Sequence, residues 1–398
     1  MLADSIDMKN IIAYRIHSHH LDTGALMKDL AEAAGACGLQ NSPPGAWETA
    51  LFNRLEDVSL PGLKDALYRK KIVVQAWSYR GVPVVFPADQ TDLFLTALIP
   101  QEGEDPWIYT RGITLALDYM RMAFDELLPM VIGAAGYLKQ HTVRSKEALD
   151  HVLAGIVSNQ LPADKKALWQ GPSMYGNPDK QTVGEAIVSF MLRPCSHLSL
   201  VVFGAREGIS PTFTSYQNWM GHSPVQTADA GAKLVRKYLV CYGPAGEKEF
   251  MAWLGCSPQQ ARRLWNTVKE ELRPVKVNGK LRYILDGEEQ KLRQAETDEN
   301  RILLLGAHDP YLDLKDRELI LEDKERQKAV WRTVGNPGAV LRGGKVIGLW
   351  NVRTQSDRLY IQIKLWGHIS AAENNKMEQL ADEYAAFRQA RLADLRID

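Results

Sequence analysis

The segment from residue 232 to residue 285 carries the strongest folding signals in this 398-residue chain. Ser257 followed by Pro258 is typical of a helix N-terminus, because serine caps the first turn and proline is tolerated at its first position. Gln260 stands three residues after Ser257 and completes a capping-box pattern. Further on, two alternating apolar runs flank Asn278-Gly279, the strongest short signal for a β-hairpin. We predict three helices, at 234–242, 247–254 and 257 to about 272, and then a two-stranded hairpin at 274–285.

The same order of helices followed by a hairpin recurs twice upstream. The upstream elements, read from apolar spacing and β-branched runs, are helices at 46–52, 63–71, 145–157 and 181–192, and strands at 72–74, 82–86, 198–203 and 212–216. Helices that precede a β-hairpin in this way are the order of a winged helix, a variant of the helix-turn-helix motif. We therefore predict an α+β fold built from tandem winged-helix (helix-turn-helix) units, of which the third is the clearest.

From Gly338 onward the pattern changes to strands. Apolar runs at 339–341 and 346–350 flank Gly343-Gly344, and residues 359–365 alternate at period two. A long helix is predicted from about Ala371 to Leu395, so this region is expected to form a small β-rich domain with a covering helix. The predicted domains are winged-helix units at 1–125, 126–228 and 229–290, and a C-terminal β domain at 291–398.

Basic residues are concentrated locally although the whole chain is neutral. Lysine and arginine together number 48, as do aspartate and glutamate, which excludes a chain-wide polybasic protein. The candidate DNA-contacting residues lie in two basic stretches and are Arg69, Lys70, Lys71, Arg80, Lys269, Arg273, Lys276, Lys280 and Arg282. Because the second group lies at the end of the predicted recognition helix or on its wing, we expect duplex DNA as the partner. The alternative is a helix-turn-helix fold that binds no DNA, in which the lysines and arginines are ordinary exposed side chains.

The sequence favours neither a metal site nor a membrane segment. The four cysteines, Cys37, Cys195, Cys241 and Cys256, are scattered and form no Cys-x-x-Cys pair. His17-Ser18-His19-His20 lacks an evident set of thiol or carboxylate partners, so these histidines are interpreted as surface or core residues. The N-terminal segment has no cationic signal region, and the longest apolar run is too short to span a bilayer. We expect a soluble, cytoplasmic protein.

Residues 38–45 form the most unusual stretch in the chain. Three adjacent polar residues, Gln40, Asn41 and Ser42, follow a helix of small apolar residues and precede Pro43-Pro44. The prolines restrict the backbone, so the amide and hydroxyl groups can orient a water molecule or hydrogen-bond a sugar or base. An ordinary capped turn between two helices explains the same residues, and composition alone leaves that alternative open.

Landmarks along nearly the whole chain resemble one family. They are Gly38-Leu39-Gln40, Trp77-Ser78-Tyr79-Arg80-Gly81, Leu192-Arg193-Pro194, Tyr242-Gly243-Pro244-Ala245 and Gly344-Lys345-Val346-Ile347-Gly348-Leu349-Trp350. In this order they resemble the AlkZ-like/YcaQ-like winged-helix DNA glycosylases. The resemblance implies a C-shaped, DNA-binding monomer that hydrolyses the N-glycosidic bond of bulky alkylated or crosslinked purines and requires no metal or redox cofactor.

The resemblance also assigns catalytic positions. Gln40 matches the family's first catalytic position, and Ser42 stands at the second, where active members carry Gln or Asp. Val84 and Val85 stand where the family has a histidine. Three hypotheses follow. The first is a monofunctional DNA glycosylase in which Gln40 positions water with help from Ser42 or Asn41. The second is a non-catalytic winged-helix DNA-binding protein or transcriptional regulator on the same scaffold. The third, a protein-interaction module, is the least favoured, because the basic residues of the wing have no obvious use in it.

Overall fold

The computed structural model describes residues 5–22, 24–175 and 177–398 and, for residues 107–110, the backbone only. The chain divides into two compact units. Unit 1 comprises Met1–Arg69, Val235–Trp253 and Val268–Asp398, and unit 2 comprises Lys70–Leu234 and Leu254–Thr267. The four consecutive domains predicted from the sequence are not tested by this division and stay a prediction.

The chain mixes helices and short strands throughout the residues that the structure describes. The helices are α1 (Met8–Ser18), α2 (Leu30–Gly35), α3 (Ala46–Phe52), α4 (Leu60–Lys64), α5 (Thr91–Phe94), α6 (Trp107–Met120), α7 (Phe124–Ala135), α8 (Lys146–Ser158), α9 (Ala163–Trp169), α10 (Val183–His197), α11 (Tyr216–Met220), α12 (Ala230–Tyr242), α13 (Glu247–Leu254), α14 (Pro258–Asn266), α15 (Glu289–Gln294), α16 (Lys324–Val330) and α17 (Ala371–Phe387). The strands are β1 (Leu39–Gln40), β2 (Val73–Trp77), β3 (Pro83–Pro87), β4 (Val143–Arg144), β5 (Val202–Phe203), β6 (Thr212–Thr214), β7 (Leu272–Val277), β8 (Lys280–Leu285), β9 (Ile302–Leu305), β10 (Gly338–Arg342), β11 (Lys345–Gln355), β12 (Arg358–Leu365) and β13 (Arg391–Ile397).

The largest sheet of unit 1 has the strand order β13-β12-β11-β10-β9. Its neighbours are antiparallel except β12 and β13, which run parallel. On β12 the side chains of Leu359, Ile361 and Ile363 are buried and alternate with more exposed ones, because successive side chains of a strand point to opposite faces. The period-two pattern seen in the sequence is therefore confirmed as a strand with one buried face.

Helix α17 is shorter than the sequence predicts. It begins at a capping box, in which the Ser370 hydroxyl accepts from the Glu373 N–H at 3.2 Å and a Glu373 carboxylate oxygen accepts from the Ser370 N–H at 2.7 Å. The prediction that the helix continues to Leu395 is wrong, because it ends at Phe387 and residues 391–397 form strand β13 beside β12. Arginine, leucine and alanine favour helices locally, and strand pairing overrides that preference here.

Two arginine–aspartate pairs lie inside unit 1. Arg54 donates to both carboxylate oxygens of Asp309 at 2.8 Å, and both side chains are almost fully buried. Arg15 donates to both oxygens of Asp316 at 2.8 Å and also to the carbonyl oxygen of Tyr242 at 2.6 Å. These paired charges tie the N-terminal helices to segments that follow far later in the chain, and the bidentate geometry satisfies the buried guanidinium groups.

Unit 2 is built around a helical core and a sheet with the order β3-β2-β5-β6-β4, in which every pairing is antiparallel. Helix α10 begins at a Thr182–Glu185 capping box and buries Val183, Ile187 and Met191, which stand on one face at four-residue spacing. Trp77 of β2 stacks on Phe213 of β6 with ring centroids 5.4 Å apart. Apolar packing of α10 against α6 and α8 holds this unit together.

Two predicted elements near this sheet differ from the structure. The strand expected at 198–203 is confined to Val202–Phe203, because α10 continues to His197 and Ser199 takes a positive φ of 61°. The helix expected at 63–71 begins earlier, at Leu60, and continues from Asp65 to Arg69 as a π-helical turn. The helices predicted at 145–157 and 181–192 are confirmed as α8 and α10 within a few residues.

The elements between residues 230 and 285 follow the predicted order. The Ser257 hydroxyl accepts from the Gln260 N–H at 3.2 Å, so the predicted cap is confirmed. Helix α14 ends at Asn266 rather than near Leu272, since a short 3₁₀ turn at Lys269–Glu271 leads into β7. Asn278 and Gly279 both have positive φ, at 47° and 74°, as a two-residue type I′ hairpin turn requires. The predicted hairpin is confirmed.

Candidate functional site

Gln40 lies at the end of the two-residue strand β1, where its side chain is 7% exposed. Its Nε2 donates to the backbone carbonyl of Ser42 at 3.0 Å. The amide is therefore fixed by the turn that follows it, and among the described residues no donor contacts its Oε1. An amide that is held in place and whose Oε1 remains able to accept a hydrogen bond can orient a small polar molecule.

The next two residues have different environments. The Asn41 side-chain oxygen accepts from the Gly45 N–H at 2.7 Å and closes the turn over Pro43 and Pro44. Gly45 has a φ of 94° and precedes helix α3, a backbone conformation that favours glycine. Ser42 is exposed. Asn41 thus shapes the turn, while Ser42 is accessible to solvent.

Helix α3 connects this turn to the C-terminal helix α17 of the same unit. Arg388 donates to a Glu48 carboxylate oxygen at 2.6 Å, and Thr49 Oγ1 lies 3.0 Å from the Tyr384 hydroxyl. Burial raises the pKa of the Tyr384 phenol, which therefore stays neutral and able to donate. These contacts hold the end of the turn in place.

A cleft of about 320 Å³ opens beside the turn. Its lining includes Pro43, Pro44 and Gly45 on one side and Trp350, Tyr384 and Arg388 on others. Gln40 and Ser42 are not among the lining residues. The cleft therefore begins at the prolines. Arg388 is the cationic residue among the six named here, and its guanidinium is paired with Glu48.

The basic residues of the β7–β8 hairpin and of the turn that leads into it fall into two groups. Lys269, Lys276 and Lys280 are exposed, and none of them makes an ion pair with a residue that the structure describes. Arg273 pairs with Asp286 at 2.8 Å and also with Glu289, whereas Arg282 pairs with Glu249 at 2.8 Å. The three lysines are available to an external phosphate, while the two arginines already hold protein carboxylates.

The basic residues predicted at 69–80 also make contacts within the protein. Arg69 is exposed and lies 3.1 Å from an Asp65 carboxylate oxygen. Lys70 is exposed as well.

In unit 2 the Lys71 ammonium contacts the backbone carbonyl and the ring of Trp219, its nitrogen 4.3 Å from the ring centroid. Arg80 takes a positive φ of 56° and stacks over the ring of Tyr79 at 4.8 Å. Both side chains are half-buried, and both rest on aromatic rings.

Arg193 joins two landmarks that are far apart in sequence. Its Nε donates to the Gly81 carbonyl at 3.4 Å, and its guanidinium lies 5.8 Å from the centre of the Trp77 ring. Burial lowers the pKa of this guanidinium from its ordinary value. The Trp77–Gly81 and Leu192–Pro194 landmarks therefore meet in unit 2, and the role of Arg193 there is to support the hairpin entry.

One group of potential metal ligands was missed by sequence reasoning. Among the described residues, His19, Cys37 and Cys241 are all buried and place one ligand atom each within 4.8 Å of the others. The thiols come from positions 18 and 222 residues beyond the histidine, so no spacing motif signals the cluster. The expectation that the histidines at 17–20 are surface or core residues rests on neighbouring residues alone, and the contact of His19 with the two thiols is long-range.

No helix among the described residues has both the length and the apolar character needed to cross a membrane.

Comparisons with known proteins agree on one family. A sequence model of the family described as "DNA glycosylase AlkZ-like" matches residues 33–387. A curated relative from Streptomyces sahachiroi, named "Interstrand DNA cross-link repair glycosylase", is 29% identical over 176 residues, which are 42% of this chain and 46% of the relative. The chain thus matches less than half of that relative's length. The solved structure of Streptomyces sahachiroi DNA glycosylase AlkZ has a similar fold, with a TM-score of 0.73, 20% identity and coverage of 99% of this chain and 100% of that one.

Proposed function

The chain belongs to the AlkZ-like DNA glycosylase family, and from this membership we propose that it binds duplex DNA and hydrolyses the N-glycosidic bond of bulky alkylated or crosslinked purines. The observation that carries the proposal is the placement of Gln40, whose side-chain amide is fixed by its own turn. The name of the Streptomyces relative supports crosslinked DNA as a substrate.

The proposed reaction separates the base from the sugar. The C1′–N bond breaks, its electron pair leaves with the base, and positive charge develops on the sugar. A purine alkylated at a ring nitrogen is already cationic and leaves as a neutral base, which lowers the demand for acid catalysis. Water then adds to C1′ and loses a proton to solvent, so the products are the free base and an abasic site. Because the base must leave the stack, the enzyme must expose it.

Gln40 positions the water in this proposal. Its Nε2 is held by the Ser42 carbonyl, so its Oε1 accepts a hydrogen bond from water. The exposed Ser42 hydroxyl supplies a second polar contact, and Asn41 keeps the turn closed through Gly45. None of these groups is a carboxylate, so the site orients water without strongly deprotonating it.

The DNA contacts in this proposal come from the β7–β8 hairpin, which we assign as the wing of a winged helix. Lys276 and Lys280 lie on either side of its turn and are exposed. Lys276 lies opposite Leu281 and Lys280 lies opposite Val277, so the two lysines are close to each other across the strands. Lysines of this kind neutralise phosphates and release counterions, which supports binding that is independent of base sequence. Tandem winged helices remain the arrangement that we propose for the chain.

The experiment that tests the proposal measures release of free base from N-alkylated duplex DNA, together with strand cleavage at the abasic site. Gln40→Ala should lower the rate by about 10²-fold, the scale for losing one positioned polar group, and leave DNA affinity nearly unchanged. A matched control is Gln379→Ala, which removes an exposed amide on α17. Equal rates for wild type and Gln40→Ala would discard the assignment of Gln40.

A second function is favoured by one observation. Ser42 and the pair Val84 and Val85 occupy positions at which the family resemblance places catalytic side chains. A non-catalytic DNA-binding protein or regulator retains the lysines of the hairpin and needs none of those groups. Salt-sensitive DNA binding without base release from either monoadducts or crosslinks would support this alternative.

A further inference from the structure

Three side chains with metal-binding atoms meet in the interior of unit 1. His19 caps the C-terminal end of α1, Cys37 follows α2, and Cys241 lies on α12. Their exposures are 1%, 2% and 1%, and one ligand atom of each lies within 4.8 Å of the other two. All four cysteines of the chain are outside disulfides, so both sulfurs of the cluster are thiols.

The hydrogen bonding of His19 leaves one of its ring nitrogens able to bind a metal. Its Nε2 lies 3.2 Å from the carbonyl oxygen of Cys241, and since a carbonyl only accepts, Nε2 carries the proton. Its Nδ1 then presents a lone pair and has no hydrogen-bond partner among the described residues, although it is buried. Buried polar atoms are nearly always partnered, and ligating histidines typically donate their other N–H to a backbone carbonyl.

The surroundings suit a cation held by soft ligands. The rings of Tyr242 and Tyr311 pack edge-on against the His19 ring, with centroids 5.2 and 5.6 Å away, and fix its plane. The Cys241 thiol donates a hydrogen bond to the Ala36 carbonyl oxygen at 3.1 Å, which fixes the position of its sulfur. The neighbouring Arg15 and Arg54 are each neutralised by a bidentate aspartate, so they do not repel a cation as free charges would.

We propose that His19, Cys37 and Cys241 bind a thiophilic cation, Zn²⁺ or Cu⁺. Two thiols lose their protons to solvent, two sulfur–metal bonds and one nitrogen–metal bond form, and no electron is transferred. Sulfur and imidazole ligands select these metals over Mg²⁺ or Ca²⁺. With Zn²⁺ the two thiolates leave the site neutral, which suits its burial.

The bound ion ties together the ends of α1 and α2 and the middle of the chain at α12. Cys37 is three residues before Gln40, so the ion fixes the segment that enters the Gln40 turn. Lys237 strengthens the same junction by donating to the Gly35 carbonyl at 2.5 Å. The role of the ion is structural, because the cluster is closed to solvent.

The test uses the full-length chain prepared in reducing buffer without chelator. Metal content by mass spectrometry, and titration with Zn²⁺ and with Cu⁺ against competing chelators, should show one bound ion per chain and identify which metal binds more tightly. Co²⁺ should give thiolate-to-metal charge-transfer absorption with an intensity expected for two sulfurs. Cys37→Ser and Cys241→Ser should lose the ion, while Cys195→Ser and Cys256→Ser, which alter buried thiols outside the cluster, should keep it.

A second measurement on the wild-type chain guards against variants that fail to fold. Bound metal should protect Cys37 and Cys241 from alkylation during partial unfolding and leave the reactivity of Cys195 unchanged. The proposal is overturned if the wild-type chain takes up no ion, if the Cys37 and Cys241 variants bind as well as the controls, or if these two cysteines form a disulfide that metal does not prevent.

Discussion

At the scale of single residues, position 42 sets the chemistry available to the Gln40 turn. Ser42 is exposed, and its hydroxyl can hydrogen-bond water but cannot take a proton from it near neutral pH. We expect Ser42→Asp to raise the rate of base release by about tenfold or more, because a positioned general base typically contributes at least that much. The measurement is single-turnover release of free base from alkylated DNA as a function of pH.

The matched control for that change is Ser42→Asn, which has nearly the same size as aspartate and carries no charge. The gain of the aspartate variant should vanish as pH falls below the ordinary carboxyl pKa of about 4, and the asparagine variant should show no such dependence. A gain of equal size in both variants would mean that side-chain size, and not the carboxylate, is responsible.

His197 makes the stability of unit 2 sensitive to acid. It is the last residue of α10, and burial lowers its pKa to about 4. Since the unfolded histidine has a pKa of about 6.5, the unfolded chain binds more protons between these values. The stability that the neutral histidine contributes is fully present above pH 6.5 and is lost as pH falls towards 4, by about 3 kcal/mol in total.

Replacement of His197 by methionine should flatten that dependence. We expect the free energy of unfolding of His197→Met, measured in denaturant between pH 7 and 4, to fall less steeply than that of the wild-type chain. Some slope will remain because burial also lowers the pKa of His19. The exposed His368 provides the control, and His368→Gln should keep the wild-type slope. Identical slopes for the His197 and His368 variants would contradict the assignment.

The cluster of His19, Cys37 and Cys241 shows why some candidate binding residues cannot be predicted from local sequence. Gln40, Asn41 and Ser42 are adjacent, so their association is local and visible in the sequence. His19 meets Cys37 and Cys241 only because α1, α2 and α12 pack together in unit 1. A contact between positions 222 residues apart follows from tertiary packing, and single-sequence periodicity contains no information about it.

At the scale of elements, the end of α17 has the geometry of a glycine-capped helix without the glycine. Gln389 takes a positive φ of 55°, its N–H donates to the Ala386 carbonyl, and the Ala390 N–H donates to the Ala385 carbonyl. These two bonds form a Schellman motif, in which the left-handed position usually holds glycine. We expect Gln389→Gly to stabilise the chain by roughly 0.5–1 kcal/mol, since glycine adopts this backbone without steric cost.

The same substitution inside the helix should have the opposite sign. Gln379 is exposed in the middle of α17, and Gln379→Gly should destabilise the chain by about 1 kcal/mol. Thermal or denaturant unfolding of the two variants against wild type is sufficient. Destabilisation by both changes would show that Gln389 makes contacts that outweigh its backbone strain.

The β7–β8 turn and the end of α17 differ in how much of their structure depends on neighbouring residues in the sequence. The β7–β8 turn was predicted correctly because Asn278-Gly279 provides the required positive φ values within two residues. The end of α17 was predicted wrongly because Gln389 gives no stop signal and residues 391–397 have helix-favouring side chains. Their strand state depends on the parallel neighbour β12, which lies outside any local window.

At the scale of the whole molecule, the charge balance limits how DNA can be attracted. Lysine and arginine equal aspartate and glutamate at 48 each, so the chain has no net positive field. Affinity for a polyanion must therefore come from local cations that hold no protein carboxylate. Lys276 and Lys280 meet this condition, whereas Arg273 and Arg282 do not.

We expect binding of duplex DNA to weaken steeply with salt, and the double variant Lys276→Glu, Lys280→Glu to reduce the slope of log affinity against log salt by about 2, close to one unit for each lost phosphate contact. Affinity should fall for every duplex sequence alike, because these contacts read no bases.

Lys180, an exposed lysine of unit 2, provides the matched charge reversal, and Lys180→Glu should leave the slope nearly unchanged. Fluorescence anisotropy with undamaged duplexes over a range of salt concentrations measures both quantities. An unchanged slope in the double variant would place the DNA contacts away from the β7–β8 hairpin. A wild-type affinity that does not vary with salt would show that phosphate contacts do not drive binding.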